Sequence, residues 1–381
     1  MLRRSFLFSA AAFGRELLKF SWARVPVYAH LGRRDAHFTK EQAEFLGRHY
    51  PLVTIEKGQA VGAGVSCEEG IYQAARQIKA ANPDTKVLFY LNLVINWPGY
   101  EASKIFDAHP NWAMRDRNGK PVLFRERPTY DLSVPEMREW WATTVGDAMV
   151  KGGLDGVFAD AIPKIAMLEA NNRKLWGDAK YEAVERGLRD LLTLVKRKIG
   201  PDRMLQVNGV RGNLQGWSDG GARYLDYVDS AMMEHFVGVS SLDEKLRLKP
   251  EMVDADLELM RKASAKGKSI FVKAWPAFSK GFPDRANMPK SQQERERLAR
   301  AEIEFPLAVF LIGAESGSYF GYSWGYDEKE GWLQWYPEYD RPLGAPKGPA
   351  RKTSWHYQRE FEHARVEVDL AREWGRIEWG K

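Results

Sequence analysis

Leu154-Asp155-Gly156-Val157-Phe158-Ala159-Asp160 is a short apolar run that closes on a carboxylate. An apolar run of this length with no polar alternation reads as a strand covered on both faces, the habit of a parallel sheet. Similar runs occur on either side. Upstream lie Val25 to His30, Leu52 to Glu56 and Val87 to Leu91; downstream lie Met204 to Asn208, Tyr227 to Glu234 and Ser269 to Lys273. An eighth is expected within Leu307 to Ile312. Helical spacing fills the gaps, as in Cys67, Ile71, Ala74, Ala75 and Ile78, or in Tyr181 to Ile199, which Gly200-Pro201 stops. Thr39 with Gln42, Ser133 with Glu136 and Ser291 with Glu294 have capping-box spacing.

Strands alternating with helices predict an α/β chain folded as a (β/α)8 TIM barrel with long loops and a small C-terminal β extension. A doubly wound open sheet is the alternative. Polar residues recur where strands end: Glu56, Asn92, Asp160, Asn208, Glu234 and Lys273. In a barrel they converge on one face, whereas in an open sheet they spread along an edge, so the barrel is preferred. Trp112 to Phe124 reads as a hairpin turning at Asn118-Gly119, and Ser316 to Pro349 as a long structured loop. The expected organisation is a signal segment over 1–23, a catalytic barrel over 24–345, and a C-terminal helix and hairpin over 346–381 packed on it.

Composition bounds the function. The 381 residues are 44% hydrophobic and 28% charged, an ordinary globular balance, with a single cysteine, Cys67, and a net charge of +6. Charges of both signs are interspersed without the basic blocks that grip phosphates, so no nucleic acid partner is expected. No run reaches the roughly 18 apolar residues of a membrane span. Arg3-Arg4-Ser5-Phe6-Leu7 and the apolar Phe6 to Phe13 fit a twin-arginine signal, with Ser21 and Ala23 before the cleavage point. Arg15, Glu16 and Lys19 interrupt that pattern, and a cytoplasmic helix is the competing reading. Export to the periplasm or beyond is preferred. The chain says nothing of oligomeric state.

The chemistry rests on two carboxylates. Asp160, at the end of its strand, is held rigidly at the barrel mouth as a nucleophile or base, although Asp in that place also caps helices. Glu234, between Met233 and His235, is poorly hydrated, which raises a carboxyl pKa and suits a general acid. Glycoside hydrolysis uses such a pair. The plainer reading of Glu234 is an ion pair with Lys273. Glu56 reads as an ion pair with Lys57 or a sugar contact. Asn92, Asn208 and Lys273 are donors suited to sugar hydroxyls, and equally to buried backbone groups. Tyr28, His30 and His235 complete the expected substrate contacts, with Trp97 and Trp275 as stacking platforms chosen from an aromatic content of 12%.

Competing motifs fail. Gly58, Gly62 and Gly64 precede a helix, but the third glycine of a dinucleotide loop falls on Cys67 and no Walker lysine follows. The histidines show no HxH or HxxxH pair, so no metal and no cofactor is expected.

Tyr28-Ala29-His30-Leu31-Gly32-Arg33-Arg34, Gly156 to Asp160 and Tyr336-Pro337-Glu338-Tyr339-Asp340-Arg341-Pro342-Leu343-Gly344 together resemble a family of hypothetical glycosyl-hydrolase-like bacterial proteins. The resemblance covers nearly the whole chain after the signal segment. It implies a TIM barrel and a glycosidase ancestry. An acid after strand four and another after strand six is distantly similar to the α-galactosidase clan, whose retaining enzymes have aspartates in both places, whereas this chain has Asp160 in the first and Glu234 in the second. The expected function is hydrolysis of an oligo- or polysaccharide. A barrel that binds carbohydrate without cleaving it is the alternative, and a lyase on acidic polysaccharide, suggested by Lys273, Arg125 and Arg127, the third.

Overall fold

The structure is a computed structural model that describes residues 17–212, 217, 219–238, 248–279 and 288–380. The twin-arginine motif lies outside them. Eight parallel strands form one sheet in chain order: β1 (Ala29–Leu31), β2 (Leu52–Ile55), β3 (Lys86–Asn92), β4 (Gly156–Asp160), β5 (Met204–Asn208), β6 (Ser230–Phe236), β7 (Ser269–Ala274) and β8 (Ser318–Tyr322). A parallel bridge between Val27 and Phe320 joins the last strand to the first, with Phe320 N–H donating to the Pro26 carbonyl at 2.8 Å. The cylinder is a (β/α)8 barrel. Its strands are buried along nearly their whole length, which is why they read as continuous apolar runs.

Two expectations change. Leu307 to Ile312 is not the eighth strand but the middle of a helix, Glu304–Gly313, and β8 lies instead inside the segment read as a loop. That helix is apolar on every side because it is covered twice, by the barrel and by the C-terminal sheet. A fully apolar run carries no periodicity to separate helix from strand. The tail, in turn, has no helix where one was expected. It is a four-stranded antiparallel sheet, β9 (Arg351–Thr353), β10 (His356–Glu360), β11 (Ala364–Asp369) and β12 (Trp374–Trp379), whose inward residues Tyr357, Val366, Val368 and Ile377 cover the apolar helix. The hairpin near Asn118-Gly119 turns as expected, Asp116 N–H donating to Lys120 O at 2.8 Å, and carries a second tight ladder, Leu123–Phe124 with Arg127–Pro128.

Local signals divide in the same way. Thr39 and Gln42 form a full capping box, and Ser291 accepts from Glu294 N–H. Ser133 does not cap: its hydroxyl donates to Asp131 at 2.6 Å, and the helix begins at Pro135 behind Val134. Asp155 ties β3 to β4 by accepting from Val87 N–H at 2.9 Å. Residues 17–23 pack on the barrel: Leu18 is buried, Phe20 meets the Tyr319 ring edge-on, and Leu343 N–H donates to Ala23 O. Cleavage after Ala23 would remove Leu18 and Phe20 from these contacts.

Gly156 faces Met204 across β4 and β5, and a Cβ there would stand 2.1 Å from the Met204 carbonyl oxygen. Backbone cannot yield as a side chain can. Gly156→Ala is therefore expected to destabilise the chain by about 2 kcal/mol or more, measured by urea unfolding; an unchanged midpoint would show that the strands part freely.

Candidate active site

The side chains that close β3, β4, β5 and β6 meet in one hydrogen-bonded cluster. Asn208, at the end of β5, donates through its single Nδ2 to Asp160 Oδ1 and to Glu234 Oε2, each at 2.9 Å. These two oxygens therefore lie no more than twice that length apart. Asp160 also accepts from Tyr90 Oη at 2.5 Å and from Asn92 Nδ2 at 2.9 Å. Asn92 is aimed by its own Oδ1, which accepts from Val94 and Ile95 N–H, and by Trp141, whose indole donates to the Asn92 carbonyl. Glu234 Oε1 accepts from Tyr326 Oη at 2.8 Å, and Arg211 stands 3.5 Å from Oε2.

This surrounding reverses the expectation of a raised Glu234. Burial does oppose its charge, but His235, Arg211 and the bonds from Asn208 and Tyr326 overrule it and hold the carboxyl down at about 2. Burial also pushes the His235 ring down to about 3, so Arg211 is the fixed positive charge at neutral pH. Nor does Glu234 pair with Lys273. The Lys273 ammonium is fully buried, donates to the Ser323 carbonyl at 3.2 Å and sits 2.8 Å over the Trp275 ring; burial drives its pKa well below the ordinary lysine range. A lysine so enclosed gives no support to the lyase reading.

The remaining expected residues fall into two groups. Glu56, at the exit of β2, is paired by Lys57 at 2.8 Å, and burial raises its carboxyl against that pull. Trp97 lies 5.3 Å beneath the Lys57 ammonium, and its buried Nε1 has no hydrogen-bond partner among the described residues. Trp275 stacks on His235 and donates to the Glu234 carbonyl at 2.8 Å, so it positions the strand end. His30 lies 3.9 Å from Glu56, walled by Phe158 and Tyr326, and neither ring nitrogen has a hydrogen-bond partner among the described residues; burial, then Lys57, lowers its pKa well below the ordinary range. Tyr28 is enclosed against Phe271 and Trp332, deeper in the barrel.

Sequence reasoning missed Tyr90, Arg211 and Tyr326. Tyr90 had a signal, since it stands two residues before Asn92 and shares its face of the strand. Arg211 and Tyr326 lie on loops after β5 and β8 and had none. Backbone strain marks the same place: Ala161 (φ 87°) and Val237 (φ 53°) follow the two strands that carry the carboxylates. Among the described residues, no group of three or more His, Cys, Asp or Glu side chains is placed to hold a metal ion.

The pattern of the family described as hypothetical glycosyl hydrolase family 15 matches residues 79–365. The noncanonic maltogenic α-amylase AmyB of Thermotoga neapolitana is similar in structure, with a TM-score of 0.50 at 10% identity over 91% of this chain and 86% of that one. The glycoside hydrolase domain of PelA from Pseudomonas aeruginosa gives a TM-score of 0.49 at 15% identity over 79% and 99%. A variant of the GH36 α-galactosidase AgaA of Geobacillus stearothermophilus gives 0.46 at 12% over 93% and 49%. At these identities the AmyB likeness speaks to the barrel alone. No curated protein matches the sequence.

The electrostatics have a stability consequence. Glu234 moves from an ordinary 4.5 to about 2 on folding, so its contribution is complete above pH 4.5 and disappears as pH falls through 2. Glu234→Gln is expected to flatten the acid-side loss of stability in that window, read by urea unfolding at each pH. A slope equal to the wild type would mean that the Arg211 and Tyr326 contacts do not hold the charge.

Proposed function

This chain belongs to hypothetical glycosyl hydrolase family 15, and from that membership we propose that it hydrolyses the glycosidic bonds of an oligo- or polysaccharide with Asp160 and Glu234. The observation that carries the reading is the one amide nitrogen of Asn208 bonded to both carboxylates. It keeps their nearest oxygens inside the roughly 6.5 Å at which inverting enzymes begin, and near the about 5–5.5 Å of retaining ones. One carboxylate of the pair attacks the anomeric carbon while the other gives a proton to the leaving oxygen and later takes one from water; Glu234, held ionised by Arg211, suits the nucleophile. This exchanges the roles that hydration alone suggests. Trp97 Nε1, Asn208 Oδ1 and His235 Nδ1 are buried polar atoms without a hydrogen-bond partner among the described residues, suited to sugar hydroxyls. The Arg3-Arg4 segment supports export, which would put the substrate outside the cytoplasm.

The test is a glycan library incubated with the full chain and read by mass spectrometry. On any glycan that is cleaved, Asp160→Asn and Glu234→Gln are each expected to lower turnover at least 100-fold, about 2.7 kcal/mol in the barrier, with circular dichroism unchanged. The first-formed product should keep the anomeric configuration, followed by NMR. Near-normal turnover in both variants ends the assignment. Saturable binding with no product would make the barrel a carbohydrate-binding protein.

A further inference from the structure

We infer that Lys164 and Arg125, set around the Phe124 ring beside the carboxylate pair, form a subsite for the carboxylate of an acidic sugar. The inference rests on the glycosidase reading of this cleft and names its substrate class. Lys164 follows Asp160 by four residues, and its ammonium lies 3.8 Å over the Phe124 ring; the Arg125 guanidinium stands 5.5 Å from the same ring. Among the described residues, neither cation has a carboxylate within ion-pair distance. Two other cations of the mouth are paired, Lys57 with Glu56 at 2.8 Å and Arg211 with Glu234 at 3.5 Å. Beside Phe124 the positive charge is unmatched among the described residues.

That surplus is costly. Burial works against the Lys164 ammonium and Arg125 repels it, while Asp160 and Glu234 favour it, and the net pKa is lowered. The hairpin that brings Arg125 there is strained, with Arg125 at φ 47° and Glu126 at φ 65°, both in the left-handed region. An anion between the two cations would offset the repulsion, whereas a neutral sugar would leave both unpaired. The ring they share extends to a second aromatic: Phe124 meets Trp97 edge to face at 6.4 Å and 82°. A pyranose resting on this aromatic strip would carry an exocyclic carboxylate within reach of both cations, while the ring apolar face stays on carbon.

The experiment compares calorimetric binding of a panel of uronic acid oligosaccharides with their carboxyl-reduced counterparts, on the full chain at low salt and at about 0.5 M salt. At least one uronate should bind roughly tenfold more tightly than its reduced form, and salt should shrink the difference. Lys164→Gln and Arg125→Gln should each reduce that preference several-fold. Arg125 is exposed on the hairpin tip, so its variant tests the idea even if Lys164→Gln misfolds. Equal binding of acidic and reduced forms, or an unchanged preference in folded variants, overturns the inference. Cleavage of a neutral glycan with no uronate binding would do so too and leave the glycosidase reading standing. Failure of every glycan to bind or react would remove both.

Discussion

One amide group holds the mouth of this barrel together. Asn208 gives both protons of a single nitrogen to two carboxylates that would otherwise repel, a cost of about 3 kcal/mol for unit charges some five ångströms apart at an effective dielectric near 20. The remaining donors divide the anions between them: Tyr90 and Asn92 take Asp160, and Tyr326 and Arg211 take Glu234. Remove the bridge and each acid still has partners, but nothing sets the distance between them. Spacing, more than affinity for either acid, is what the amide contributes.

The scaffold behind the cluster is aromatic and indirect. Trp141 and Trp275 act through the backbone, their indoles donating to the carbonyls of Asn92 and Glu234. A ring locked in the core is a stiffer anchor than a flexible polar chain, because it loses little freedom when its one donor is satisfied. The strain at Ala161 and Val237 belongs to the same design. Each turns the chain out of its strand just past a residue of the cluster, and packing on both sides keeps it there.

Charge is sorted by depth. Lys273 and His30 are sealed in the barrel, and burial lowers the pKa of each. Arg211 and Lys57 stay nearer the opening and are matched one to one with carboxylates. On the hairpin side, around Phe124, Lys164 and Arg125 stand without a carboxylate partner among the described residues. The cleft is thus polarised along its length, with anions at the centre and cations at one rim.

Much of this was readable beforehand. Continuous apolar strands ending in polar residues required a parallel sheet buried on both faces, and they placed Asn92, Asp160, Asn208 and Glu234 on one rim. The eighth strand was misplaced because Leu307 to Ile312 is covered on all sides, and a run without a polar face has no period to show. Trp275, expected to stack on sugar, also holds the strand end through its indole N–H. What sequence could not supply was the balance of fields at Glu234. Local hydration argues for a protonated acid, but the outcome is set by His235, Arg211, Asn208 and Tyr326 together, and of these Arg211 and Tyr326 approach from loops after β5 and β8. Strand order and facing follow from short-range covalent geometry and are written locally. A pKa is a sum over charges and dipoles that only the closed fold brings within a few ångströms.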